Sequence, residues 1–135
     1  MSVPILSIIL AWMLIYVPRL TVAHAQWGAP GGYDNRHPRK QQASLDDRAR
    51  RANAAHYNSF EAFSPFAFAT LLCLLTAPNN NWVSLLCLVF VVARILYIQA
   101  YVSDLATFRT VIWAVGFVST GGLFFVALQG AVAQI

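Results

Sequence analysis

The sequence predicts an all-α integral membrane protein, a four-helix up-and-down bundle forming one domain over residues 1–135. Three observations predict it. Hydrophobic residues make up 59% of the chain and charged residues only 10%, whereas a soluble domain needs about 25% charged residues to solvate its surface. The few charges are also clustered: Arg19, Arg36, Arg39, Lys40, Arg48, Arg50 and Arg51 are seven of the nine basic residues. Finally, four apolar segments approach or exceed the roughly 20 residues that a spanning helix requires.

The first helix is expected over about residues 3–23. Val3 to Pro18 is apolar apart from Ser7, and the run can continue through Arg19 to Ala23. Ala23-His24-Ala25 resembles a signal-peptide cleavage site, but no basic residue precedes the apolar run, as a secretory signal requires. Residues 24–45 form a polar loop punctuated by Gly28, Pro30, Gly31, Gly32 and Pro38. The second helix is expected over 46–77. Asp46 and Asp47 favour its positive N-terminal end, and it enters the apolar phase near Ala54. Pro78 to Asn81 is a tight uncharged turn. The third helix, 82–102, opens with Trp82 at an interface and carries one charge, Arg94. After a short link, the fourth helix covers 109–133 and has no charge beyond Arg109. Short links make neighbouring helices antiparallel.

Charge sets the expected orientation. Loop one holds the basic cluster, while the Pro78–Asn81 turn and the C-terminus are uncharged. The positive-inside rule places loops one and three in the cytoplasm and both termini outside. The same rule explains the net charge of +4 without nucleic acid, which needs a basic face on a soluble module. Three scattered histidines without cysteine pairs give no metal motif. Cys73 and Cys87 lie at similar depth and read as free buried thiols.

The informative residues are polar ones inside the spans, because a charge near the bilayer centre is costly and turns toward the bundle interior. Arg51, Asn58, Glu61 and Pro65 follow at spacings of seven, three and four, and so share a helical face. Arg94, Tyr97 and Tyr101 do the same on the third helix. Pro65 leaves the Glu61 carbonyl without its helical donor. Glu61 and Arg94 are expected to pair, either as a structural lock or within a site. Arg19 closes the first helix and Arg109 opens the fourth at the same end. Such a cluster suits a small anionic ligand from the cytoplasm, with an apolar co-substrate arriving from lipid. His56 falls on the opposite side of its helix from Asn58 and reads as an interfacial or packing residue.

Arg51 through Pro65, with its Asn58-x-x-Glu61 core, and Ala93-Arg94-Ile95-Leu96-Tyr97-Ile98-Gln99-Ala100-Tyr101 resemble the MAPEG family, the membrane-associated proteins of eicosanoid and glutathione metabolism. The resemblance is specific over about residues 46–113 and rests on hydropathy elsewhere. It implies a homotrimer with glutathione as co-substrate, bound between neighbouring subunits at the cytoplasmic side. By the same resemblance Asn58 and Glu61 hold the glutathione peptide and amino group, with Arg94 beside them. Tyr97 and Tyr101 contact it from the third helix, and Tyr97 supports the chemistry. Arg19 binds a carboxylate, and Arg109 stabilises the thiolate. Two arginines that family members carry near the asparagine are Ala54 and Tyr57 here, and Arg51 is the candidate substitute. The implied activity is a glutathione transferase or peroxidase acting on apolar electrophiles or lipid hydroperoxides. The alternative is a non-catalytic lipid-binding or structural membrane protein of the same fold.

Overall fold

A computed structural model describes residues 2–134. The order is α1 (Ser2–Trp27), α2 (Pro38–Ala43), α3 (Asp47–Thr76), α4 (Asn81–Val102) and α5 (Ala106–Val132), and no strand occurs among the described residues. The helices α1, α3, α4 and α5 are each long and apolar enough to cross a membrane. They form a four-cornered bundle in which α1 and α5 do not touch. Between those opposite corners, α3 and α4 meet across the diagonal.

Local chemistry fixes the helix ends. The Asp46 carboxylate caps α3 by accepting from the Ala49 N–H at 2.7 Å, and Asn80 caps α4 through the Trp82 N–H at 2.9 Å. Each cap satisfies a backbone donor that the helix leaves unpaired. Two boundaries differ from the sequence expectation. Helix α1 runs on to Trp27, because Gln26, 1% exposed, is anchored by loop groups rather than by water. Helix α5 begins at Ala106, three residues before Arg109, because the α4–α5 turn is very tight. There Asp104 takes a left-handed φ of 61°, and the Leu105 N–H returns to the Ala100 carbonyl at 2.9 Å. The region expected to be only loop contains α2, with Pro38 at its first position, where a missing N–H costs nothing.

The core lies where α3, α4 and α5 converge. Phe66 and Phe90 stack with centroids 3.8 Å apart beside Leu123 and Ala127. Cys73 and Cys87 are both free and buried. Cys73 donates to the Leu123 carbonyl at 3.1 Å, which ties α3 to α5. Helix α1 docks through His56, whose Nδ1 lies 2.7 Å from the Ile15 carbonyl. That carbonyl neighbours Leu14, whose own helical donor Pro18 removes. His56 is thus a packing residue between α1 and α3.

Candidate functional site

Helical periodicity brings the polar residues of α3 and α4 to a common seam. Asn58 is its hinge. Its Oδ1 accepts from Arg94 Nη1 at 3.2 Å, and its Nδ2 donates to Glu61 Oε2 at 3.2 Å. Arg94 Nη2 donates to Ser59 Oγ at 3.0 Å. The expected Glu61–Arg94 ion pair is therefore not formed directly; a neutral amide stands between carboxylate and guanidinium. The physical reason lies in register, because Asn58 and Ser59 sit level with Arg94 and Glu61 is a turn farther along α3.

The seam continues along α4 toward α5. The Arg94 guanidinium lies over the Tyr97 ring, 4.2 Å from its centroid, and Tyr97 meets Tyr101 edge to face at 5.5 Å. Arg109 then covers the Tyr101 ring at 4.3 Å. Arg94 and Tyr97 are 5% and 4% exposed, so a fixed positive charge is held inside the bundle with no carboxylate within ion-pairing distance among the described residues. Arg109 is half-buried, and its guanidinium makes no hydrogen bond or salt bridge among the described residues. A cation of this kind, held by π-faces, keeps its donors available.

Two adjoining cavities open on this seam. The polar one, of ≈ 190 Å³, is lined by Asn58, Tyr97, Tyr101, Arg109, Thr110 and Trp113. The larger, of ≈ 380 Å³, has Asn58, Glu61 and Arg94 at one side and Pro65, Phe90, Phe117 and Phe124 among its apolar walls. Asn58 and Trp113 belong to both, so a ligand with a polar and an apolar part can reach from one to the other.

Of the sequence-predicted residues, Asn58, Glu61, Arg94, Tyr97, Tyr101 and Arg109 come together. Arg19 and Arg51 do not join them within one chain. Arg19 reaches Asn53 Oδ1 at 3.5 Å. With the Gln42 amide turned to face it, the Gln42 oxygen accepts from Arg19 Nη1 and Nη2 at 2.9 and 3.1 Å. Arg51 braces the α4–α5 turn: its Nε donates to the Val102 carbonyl at 3.4 Å, and its Nη1 lies 3.8 Å from Asp104 Oδ2. Sequence reasoning passed over Ser59 and Trp113. Trp113 follows Arg109 by four residues, the spacing that places both on one helical face.

These features define a class of protein: a small membrane bundle that carries a polar, cationic seam beside an apolar cavity. The sequence profile of the MAPEG family matches residues 3–129, nearly the whole chain, and the protein belongs to that family. Membership places it among membrane proteins connected with eicosanoid and glutathione metabolism. A comparison with curated proteins finds no match.

Proposed function

We propose that the protein is a glutathione-dependent transferase or peroxidase acting on apolar electrophiles or lipid hydroperoxides. The observation that carries this reading is Arg109, a half-buried cation with unspent donors facing the polar cavity beside Tyr97 and Tyr101. A thiol with an ordinary pKa near 8.5 ionises more readily beside arginine. The thiolate sulfur bonds to an electrophilic carbon as the leaving group departs. With a hydroperoxide, sulfur takes the terminal oxygen to give the sulfenic acid, the O–O bond breaks and the alkoxide leaves as the protonated alcohol. A second glutathione then condenses with the sulfenic acid to give the disulfide and water. Asn58 and Glu61 serve the peptide and amino group of glutathione, and the larger cavity receives the apolar partner.

The remaining carboxylate recognition falls to Arg19 and is assigned to a neighbouring subunit of a homotrimer, since Arg19 lies apart from the seam within one chain. The charge distribution supports an orientation with the 28–46 loop and the α4–α5 turn in the cytoplasm and both termini outside. A generic aryl halide offered with glutathione to the purified protein tests the proposal. Saturable conjugate formation is expected. Absence of both conjugation and hydroperoxide reduction would overturn it.

One observation favours a second reading, a non-catalytic lipid-binding protein. Positions 54 and 57 supply an alanine and an exposed tyrosine in place of cations, and lost bidentate partners weaken anion recognition. Binding of a fatty acyl ligand without any glutathione turnover would support that reading instead.

A further inference from the structure

The loop between α1 and α3 carries more positive charge than its own acids can neutralise. Its two carboxylates and Asp47, the first residue of α3, are all committed locally. Asp34 Oδ1 accepts from the N–H groups of Arg36 and His37 at 2.9 and 3.0 Å. Asp46 caps α3, and Asp47 pairs with Arg50. Arg36, Arg39, Lys40 and Arg48 are exposed, and none has a carboxylate within 4.0 Å among the described residues.

This loop is also fixed in place. Buried Gln26 donates to the Pro38 carbonyl and to Gln41 Oε1, both at 3.2 Å. Gln41 Nε2 returns to the Gly32 carbonyl at 2.7 Å and the Gln26 carbonyl at 3.3 Å. These contacts hold α2, which carries Arg39 and Lys40, against the end of α1. Both ends of the loop run into apolar spans, so its cations stay near the bilayer surface. Trp27, 69% exposed, meets the Tyr33 ring at 5.4 Å on the same loop. Exposed aromatic rings of this kind settle at the headgroup level.

We propose that residues 28–48, the loop together with the first residues of α3, form a docking surface for the anionic phospholipid headgroups of the bilayer that the helices cross. Guanidinium groups match phosphate geometry through paired N–H donors, and juxtamembrane cations are drawn to anionic leaflets within a Debye length of the surface. A free anion in solution has the same charge chemistry but no use for the Trp27–Tyr33 pair or for anchoring at both ends, so the lipid source is favoured.

The test uses the full-length protein reconstituted with equal parts phosphatidylglycerol and phosphatidylcholine, extracted in polymer discs, with the retained lipids quantified by mass spectrometry. Wild type should be enriched in phosphatidylglycerol. Each of Arg36→Gln, Arg39→Gln, Lys40→Gln and Arg48→Gln should reduce relative retention by up to about fivefold, and the four together should abolish it. Arg50→Gln, whose charge Asp47 already meets, should leave the enrichment near the wild-type value. These side chains are exposed, and unchanged thermal unfolding checks that the variants fold. Equal enrichment in wild type and the fourfold variant would overturn the proposal. So would enrichment removed by inorganic phosphate but not by chloride at the same ionic strength, which would mark a soluble-anion site.

Discussion

Arg94 is a guanidinium buried in the bundle whose polar partners are an amide, a hydroxyl and a π-face, none of them charged. Asn58 consequently matters more to it than Glu61 does. Asn58→Ala removes one of two hydrogen bonds to a buried cation, and bonds to charged groups are worth roughly 1.5–3 kcal/mol. A loss of that size should appear in thermal unfolding followed by tryptophan fluorescence. Glu61→Gln keeps an acceptor for Asn58 on an exposed side chain and should cost under about 1 kcal/mol. A loss of about 3–5 kcal/mol in Glu61→Gln would instead reveal a direct buried ion pair. Periodicity alone made the Asn58–Glu61 and Arg94–Tyr97–Tyr101 faces legible, because a helix leaves little choice at those spacings. Which group of α3 meets Arg94 depends on the relative height of two helices, and no spacing within either one encodes it. On the proposed glutathione-dependent reading, the chemistry at this scale centres on Arg109. Acting on a developing thiolate, it should lower kcat roughly 10²–10³-fold in Arg109→Ala with a small change in glutathione KM. Thiolate absorbance of the bound glutathione should fall in parallel; turnover and absorbance both unchanged would leave Arg109 as an interfacial anchor.

Close helix approach is concentrated at one glycine. A Cβ at Gly130 would stand 2.5 Å from the Thr76 carbonyl oxygen, at the place where Thr76 Oγ1 donates to the Ala127 carbonyl at 3.0 Å. Backbone on both sides cannot yield without parting α3 from α5. Gly130→Ala should therefore destabilise by roughly 1–3 kcal/mol, the usual cost of overpacking. Gly121 has no atom within 4 Å of its ideal Cβ, so Gly121→Ala should be neutral, or stabilising by up to about 1 kcal/mol through helix propensity. Paired melting curves in one detergent compare the two, and equal shifts would contradict the contact geometry. Small residues recur along α5 at Ala114, Gly116, Gly121, Gly122, Ala127, Gly130 and Ala131, and small residues permit close helix approach. Only the structure separates Gly130, which meets a backbone, from Gly121, which faces the apolar cavity. Helix α2 was hidden for a similar reason. Its six residues cannot stabilise a helix alone, and the Gln26–Gln41 exchange that holds it comes from outside the segment.

At the scale of the whole molecule, charge and site placement lead to two expectations. Reporter fusions at the C-terminus and after Lys40 should lie on opposite sides of the membrane, because an odd number of spans separates them; reporters on one side would exclude the four-span arrangement. Assembly is the deeper question. Within one chain Arg19 is held by Asn53 and Gln42, while Arg109 faces a cavity formed by α3, α4 and α5, and α1 does not touch α5. If both arginines serve one glutathione, they come from different subunits. Native mass spectrometry in detergent should show three copies, and subunit mixing then tests the shared site directly. Arg19→Ala and Arg109→Ala chains should each have low kcat/KM when measured alone at low glutathione. Co-expressed in equal amounts, they assemble at random. In a closed ring an interface has both native arginines when its two subunits are of the right kinds in the right order, which holds for about a quarter of all sites. Activity should accordingly recover to about a quarter of wild type. Sites built within single subunits offer no such interface, so mixed trimers no more active than the average of the two parents would place the whole site in one chain.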